Sequence, residues 1–355
     1  MGLTQRERVI AQIQHRETDY LPYTIRFDSD LIDGMDCYGS DVAARLDAYY
    51  QSGEWRDLVD NAIPQFVTHK LGVDLSISPL YTDVYGCVWR TDRRPFHLAE
   101  PALKSPGWNG FAFPNLDALF DADWKQRTLQ AIEKHRDHFV VIGFGLGLWE
   151  RSWSLRGFQE ALMDASAEPD WFDEFIDQVA EHQLRIMDRL VELPIDGVMF
   201  SDDWGYQRGV LLGPGRWRRV LKPRLAKIYA RVHQAGKYTL SHCCGSVADI
   251  LPDIIEVGLN VLESVQPEAD KMNPYELKRR FGKHIAFWGG LGSQSLIPFG
   301  TPDEIRAEVA QLCCEMGKGG GYILSPAKPL QPETPTENAA AIIESFLHQA
   351  GLEFP

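Results

Sequence analysis

From Phe139 to Pro326 the chain alternates short apolar runs with amphipathic stretches, and this rhythm constrains the fold more than any other feature. Phe139-Val-Val-Ile-Gly-Phe-Gly145 is a continuous apolar run of the kind that forms a strand buried on both faces. Gly197-Val-Met-Phe200, Tyr238-Thr-Leu240, Asn260-Val-Leu-Glu-Ser-Val265, Ile285-Ala-Phe-Trp288 and Gly321-Tyr-Ile-Leu324 repeat it. Helical spacing separates them: Phe172, Phe175, Ile176 and Val179 after Pro169, then Trp217, Leu221, Leu225 and Ile228, then Ile305, Val309 and Leu312. Such alternation implies a parallel sheet. Strands at Tyr23–Phe27 and Val73–Ser78 bring the count to about eight, the number of a (β/α)8 TIM barrel. A doubly wound open sheet is the alternative, but no G-x-G-x-x-G follows an early strand.

A chain of 355 residues suits one barrel domain over 1–355. Residues 33–119 are the least regular stretch and read as an elaboration around the first barrel strands, with Val84–Trp89 part of a hairpin. Thr4-Gln-Arg-Glu7 predicts a capping box at a helix start. Thr301-Pro-Asp-Glu304 and Thr334-Pro-Thr-Glu337 each offer an N-cap Thr, an N1 Pro and an N3 Glu.

Charge and cysteine content narrow the function classes. A net charge of −14 argues against nucleic acid or an anionic membrane as partner, since both call for a basic surface. No apolar run is long enough to span a bilayer, and the amino terminus lacks a secretory h-region, so a cytoplasmic location is expected. Six cysteines in a chain this long are no disulfide framework, and no CxxC spacing occurs.

In a (β/α)8 barrel the active site lies at the carboxyl ends of the strands. Those positions hold Arg26 and Asp28, Glu150, Asp202 and Asp203, His242 and Cys244, Gln266 and Glu268, Gly289 and Gly290, and Ser325 to Lys328. His242 and Cys244 stand at i and i+2, so on a strand they share a face and could form half of a zinc site; the alternative is that His242 hydrogen-bonds a neighbour and Cys244 packs as a small hydrophobe. Each residue also has a structural reading. One of Asp202 and Asp203 can cap the next turn, Glu150 can pair with Arg151 or Arg156, and Glu268 reads as a solvated loop charge. Gly319-Gly-Gly321 reads as the end of a helix and a tight turn, and Trp149, Trp153, Trp204 and Trp288 either fill the core or line a flat pocket.

The motifs His15-Arg-Glu-Thr-Asp-Tyr-Leu-Pro22, Asp202-Asp-Trp-Gly205, His242-Cys-Cys-Gly245, Trp288-Gly-Gly290 and Gly319-Gly-Gly-Tyr-Ile-Leu-Ser-Pro326 occur in an order that resembles uroporphyrinogen decarboxylase-like proteins. Gln331-Pro332 and Pro335-Thr-Glu-Asn338 extend the resemblance over nearly the whole chain. It implies the (β/α)8 barrel and two chemistries.

The first is cofactor-free decarboxylation of a tetrapyrrole, a lyase reaction whose cleft is lined by arginines near the amino terminus. Here one arginine, Arg26, stands among Asp28 and Asp30, which is the wrong electrostatics for a polycarboxylate. The second is methyl transfer by zinc-dependent corrinoid methyltransferases, which use a corrinoid carried on a partner protein. The resemblance implies zinc on His242, Cys244 and a distant cysteine, but Lys328 stands where that cysteine would fall.

The expectation is therefore a methyltransferase-type enzyme with metal ligands His242 and Cys244. Asp202 or Asp203 would be third ligand or general base, with Glu150 or Glu268 able to complete the set. Arg26, Lys328 and Gln266 would bind a small-molecule substrate. A metal-free decarboxylase and a non-catalytic corrinoid or tetrapyrrole binder are the alternatives, and a homodimer is compatible with each.

Overall fold

The computed structural model describes residues 2–26, 80–90, 97–167, 169–331 and 333–352, and the backbone of 65–67. Asp28, Asp30 and the strand expected at Val73–Ser78 lie outside the described residues, as does much of the 33–119 elaboration.

Seven strands form one parallel sheet in the order β1 (Gln65–Val67), β5 (Val141–Leu146), β6 (Gly197–Ser201), β9 (Tyr238–His242), β10 (Val261–Val265), β11 (Ala286–Leu291) and β12 (Tyr322–Pro326). Tyr23 bridges Leu324 in parallel, with Thr24 N donating to Leu324 O at 3.0 Å, so the Pro22–Thr24 segment forms an eighth stave beside β12. The fold is the expected α/β (β/α)8 barrel. Among the described residues no ladder hydrogen bond joins that stave to β1. The stave at Gln65–Val67 was not legible as a strand, and it pairs directly with β5.

Helices Pro169–Leu190, Pro214–Val220, Lys222–Gln234 and Pro302–Met316 cover the outside and bury the apolar stripes that predicted them, and Thr336–Gln349, expected from its start signals alone, covers it as well. Inside the barrel a second cluster gathers Phe139, Val141, Met199, Leu240, Val261, Ala286, Trp288 and Ile323. Helix Gln5–Ile13 closes the amino end by adding Val9 and Ile13 to this cluster. Its Thr4–Glu7 capping box forms as expected.

The interior cluster fixes which residues face the site. Met199, Leu240 and Val261 lie inside, and side chains two apart on a strand share a face. Ser201, His242 and Glu263 therefore form the next interior layer toward the carboxyl end. Register agrees, because Ser201 pairs with His242 and His242 with Glu263 on adjacent strands.

Two further sheets sit outside the barrel. Strands β2 (Leu80–Thr82), β3 (Val88–Arg90) and β4 (His97–Glu100) form an antiparallel sheet that includes the expected hairpin. Buried Asp83 holds it together, accepting from Tyr85 N, Cys87 N and Trp89 Nε1 and pairing with Arg151 of helix Leu148–Arg156. Strands β7 (Gly205–Tyr206) and β8 (Gly209–Val210) form a short hairpin at the carboxyl end of the barrel.

One capping expectation is corrected. Thr301 and Glu304 form a complete box, but the last helix begins at Thr336 with Pro335 as N-cap and no side-chain cap bond. Thr334 is buried in the preceding turn, where its N–H donates to Gln331 O, so it does not cap.

Candidate metal and active site

His242 ends β9, where its imidazole projects into the barrel. Its Nδ1 bonds the carboxylate of Glu263, and its Nε2 lies 3.1 Å from Cys244 Sγ and 3.8 Å from Asp203 Oδ1. Asp203, His242 and Cys244 each offer one ligand atom, and these atoms all lie within 4.8 Å of one another. Asp203 is also bound to the loop it faces, because Cys244 N donates to its Oδ1 at 2.6 Å.

Glu263 is fully buried and shared. Its Oε1 accepts from Arg26 Nη2 at 2.6 Å, and Arg26 also lies over the Trp288 ring at 5.4 Å. Burial alone would raise the Glu263 carboxyl, but His242 and Arg26 outweigh it and hold it below the usual carboxylate range. Burial likewise opposes charge on His242, and Glu263 with Cys244 reverses that, leaving the imidazole well above its usual value. The bond from Nδ1 to Glu263 leaves Nε2 as the nitrogen that faces Cys244 and Asp203.

The two adjacent aspartates have different work. Asp202 is buried and accepts from Glu150 N at 2.8 Å, Trp149 N at 3.2 Å and Trp204 Nε1 at 2.7 Å, so it caps the start of helix Leu148–Arg156. Burial pushes its carboxyl up to about 7 against these donors. Asp203 faces the imidazole instead. Glu150 does not pair with Arg151 or Arg156, which bind Asp83 and Asp164. Its Oε2 accepts from Ser201 Oγ at 3.2 Å, and burial with Asp203 and Asp202 pushes its carboxyl up to about 8.

Among the substrate-binding candidates, Arg26 is already neutralised by Glu263. Lys328 follows β12 and is half-buried; among the described residues its ammonium has no ion-pair partner. Its backbone is fixed by Lys328 N donating to Ser293 Oγ at 2.9 Å. Gln266 is buried with Oε1 accepting from Gly245 N, while its Nε2 has no hydrogen-bond partner among the described residues. Glu268 corrects the reading of a solvated charge: its Oε1 accepts from Gln294 N, Ser295 N and Ser295 Oγ, pinning the loop after β11. Trp149, Trp204 and Trp288 are at most 1% exposed and belong to the core. Gly319, Gly320 and Gly321 all have positive φ and form the expected turn, with an added Cβ at Gly320 meeting Arg16 N at 2.4 Å.

Glu263 is the residue that sequence reasoning missed. Its signal was a lone carboxylate inside the otherwise apolar run Val261–Val265, a placement that needs a buried partner.

The sequence profile of the family "Uroporphyrinogen decarboxylase (URO-D)" matches residues 117–348. The methylcobamide:CoM methyltransferase MtaA of Methanosarcina barkeri is 29% identical over 262 residues, covering 71% of each chain. The uroporphyrinogen decarboxylase of Coxiella burnetii is 25% identical over 285 residues, covering 78% of this chain and 72% of its own. A solved methyltransferase from Methanosarcina mazei superposes with a TM-score of 0.69 at 20% identity, covering 97% of this chain and 98% of its own, and shares the fold. With its barrel, its motifs and the match to residues 117–348, the chain belongs to the uroporphyrinogen decarboxylase family.

Proposed function

We propose that this chain is a methyltransferase-type member of the family. It would move a methyl group between a corrinoid carried on a partner protein, or a methylated small molecule, and an acceptor such as a thiol. One observation carries the reading: the ligand atoms of Asp203, His242 and Cys244 converge within 4.8 Å at the carboxyl end of the barrel. Nitrogen, sulfur and carboxylate oxygen are a suitable donor set for Zn²⁺, and three protein ligands plus an open position is the pattern of a catalytic zinc site. The Glu263 bond to Nδ1 adds to the fit, because a metal-bound imidazole commonly gives its other N–H to a carboxylate. Asp203 thus supplies a ligand where the related pattern has a second thiolate and this chain has Lys328.

Bound zinc would hold an acceptor thiol deprotonated at neutral pH. The chain's own residues would do the rest. Glu263 orients His242, Asp202 fixes the helix start that carries Glu150, and Glu150 faces Asp203 and Ser201 as a carboxyl able to keep its proton near neutrality. With Arg26 held by Glu263, Lys328 is the cation for an anionic group on the substrate, and Gln266 is a second polar contact near Gly245.

The test is methyl transfer from methylcobalamin to a panel of small thiols, followed by loss of the cobalt–carbon chromophore. The wild type should demethylate the corrinoid and Cys244→Ser should not. No transfer by the wild type, together with uroporphyrinogen turnover that survives Cys244→Ser, would overturn the reading in favour of a decarboxylase.

A further inference from the structure

Two of the glycines in the recurring motifs, Gly205 of Asp-Asp-Trp-Gly and Gly245 of His-Cys-Cys-Gly, meet face to face. A Cβ added at Gly205 would stand 2.7 Å from Cys244 O, 2.9 Å from Ser246 O and 3.0 Å from Gly245 C. One added at Gly245 would stand 2.7 Å from both Tyr206 N and Tyr206 Cα. The root of the β7–β8 hairpin therefore lies flat on the Cys244–Ser246 backbone. Hydrogen bonds lock the contact: Ser246 N donates to Tyr206 O at 2.8 Å, and Cys244 N donates to Asp203 Oδ1 at 2.6 Å. The hairpin tip is tied down separately. Asp270 N donates to Gln207 O at 2.8 Å, and Gln207 Nε2 donates to Gln294 Oε1 at 2.7 Å.

The geometry points to Gly205 and Gly245 as positioning residues that set the separation of Asp203 from Cys244, with the β7–β8 hairpin as the brace that holds it. Asp203 lies two residues before Gly205, and Cys244 immediately precedes Gly245. The distance between these two side chains therefore depends on how closely the two backbones approach. Nothing larger than hydrogen fits between them at this spacing. Gly205 has no left-handed backbone, so a methyl there is opposed by the contact alone. Gly245, at φ +75°, carries a conformational requirement as well. The bond from Gln207 to Gln294 extends the brace to the loop whose Ser293 holds Lys328 N, joining the two sides of the cavity.

The inference rests on the proposed metal site, so its test uses two readouts, one of which needs no metal. Zn²⁺ affinity is measured by chelator competition, and the rate of Cys244 alkylation by iodoacetamide is measured by mass spectrometry on chelator-treated protein. In Gly205→Ala the affinity should fall about tenfold or more, as when a group that orients a ligand is disturbed. Cys244 should alkylate at least about threefold faster as its loop is pushed outward. Gly215→Ala is the control, because Gly215, like Gly205, has no left-handed backbone but faces open space, and it should change neither readout.

Should Gly205→Ala fail to fold, Gln207→Ala decides. This exposed change frees the hairpin tip and should accelerate Cys244 alkylation about twofold with an unchanged melting temperature. Wild-type affinity and wild-type alkylation in a folded Gly205→Ala, or wild-type alkylation in Gln207→Ala when that variant is the arbiter, would overturn the inference. A wild type that binds no Zn²⁺ would defeat the metal site, and the alkylation rates would still decide the brace.

Discussion

Glu263 and His242 are register partners on adjacent parallel strands, and the Glu263 carboxylate hydrogen-bonds His242 Nδ1 while also holding Arg26. One buried acid thereby orients the imidazole and occupies the arginine. Glu263→Gln should lower metal affinity by about 10- to 100-fold, the usual effect of losing the carboxylate behind a ligating histidine. Chelator competition on the two proteins checks it, and equal affinities would show that Glu263 does not orient the ligand.

Asp202 and Asp203 should separate cleanly by mutation. Asp202→Ala strands the N–H groups of Trp149, Glu150 and Trp204. It should cost about 3 kcal/mol of stability or more, since each unsatisfied buried donor costs about 1–3 kcal/mol. Asp203→Ala loses one bond, from Cys244 N, and should cost about 1 kcal/mol. Urea denaturation of both variants is the measurement, and a reversed order of the two costs would contradict the assignment.

Arg26 is not free to hold a substrate carboxylate, and Asp203 and Glu263 crowd the same end of the barrel. A polycarboxylate would be repelled there. Purified protein given uroporphyrinogen should form no coproporphyrinogen by chromatography. Formation at the rate of an authentic decarboxylase would contradict this.

His182 supplies a pH signature away from the site. It is 1% exposed, stacks on Phe113 at 4.4 Å and bonds Tyr85 OH, and burial with Arg185 and Arg151 lowers its pKa from 6.5 to about 4. Its folded pKa lies below the unfolded one, so the unfolded chain binds more protons between these values. Its contribution is complete above pH 6.5 and is lost as pH falls toward 4, up to about 3 kcal/mol. The stability difference between wild type and His182→Gln should shrink across that window. A difference independent of pH would show that His182 titrates normally.

How far the sequence reached follows from the range of each interaction. The staves from Phe139 onward were legible because buried parallel strands and amphipathic helices write their periods locally. His242 and Cys244 were legible as an i, i+2 pair, although β9 ends at His242 and Cys244 reaches the imidazole from the loop beyond it rather than from a shared strand face. The third partner was not, because choosing Asp203 over Asp202 depends on which carboxylate caps Leu148–Arg156, a contact spanning about fifty positions. Glu263 was read as strand filler because its partners, Arg26 and His242, reach it only through register. The stave at Gln65–Val67 is three residues long, too short for a period to show.

The central claim is that Asp203, His242 and Cys244 together hold one metal ion, and elemental analysis after zinc loading and gel filtration tests it most directly. Wild type should retain close to one zinc per chain, and Asp203→Ala and Cys244→Ser should each retain less than about a tenth of that, because two ligands hold Zn²⁺ poorly. A wild type that retains none, or variants that both keep a full equivalent, would contradict the account.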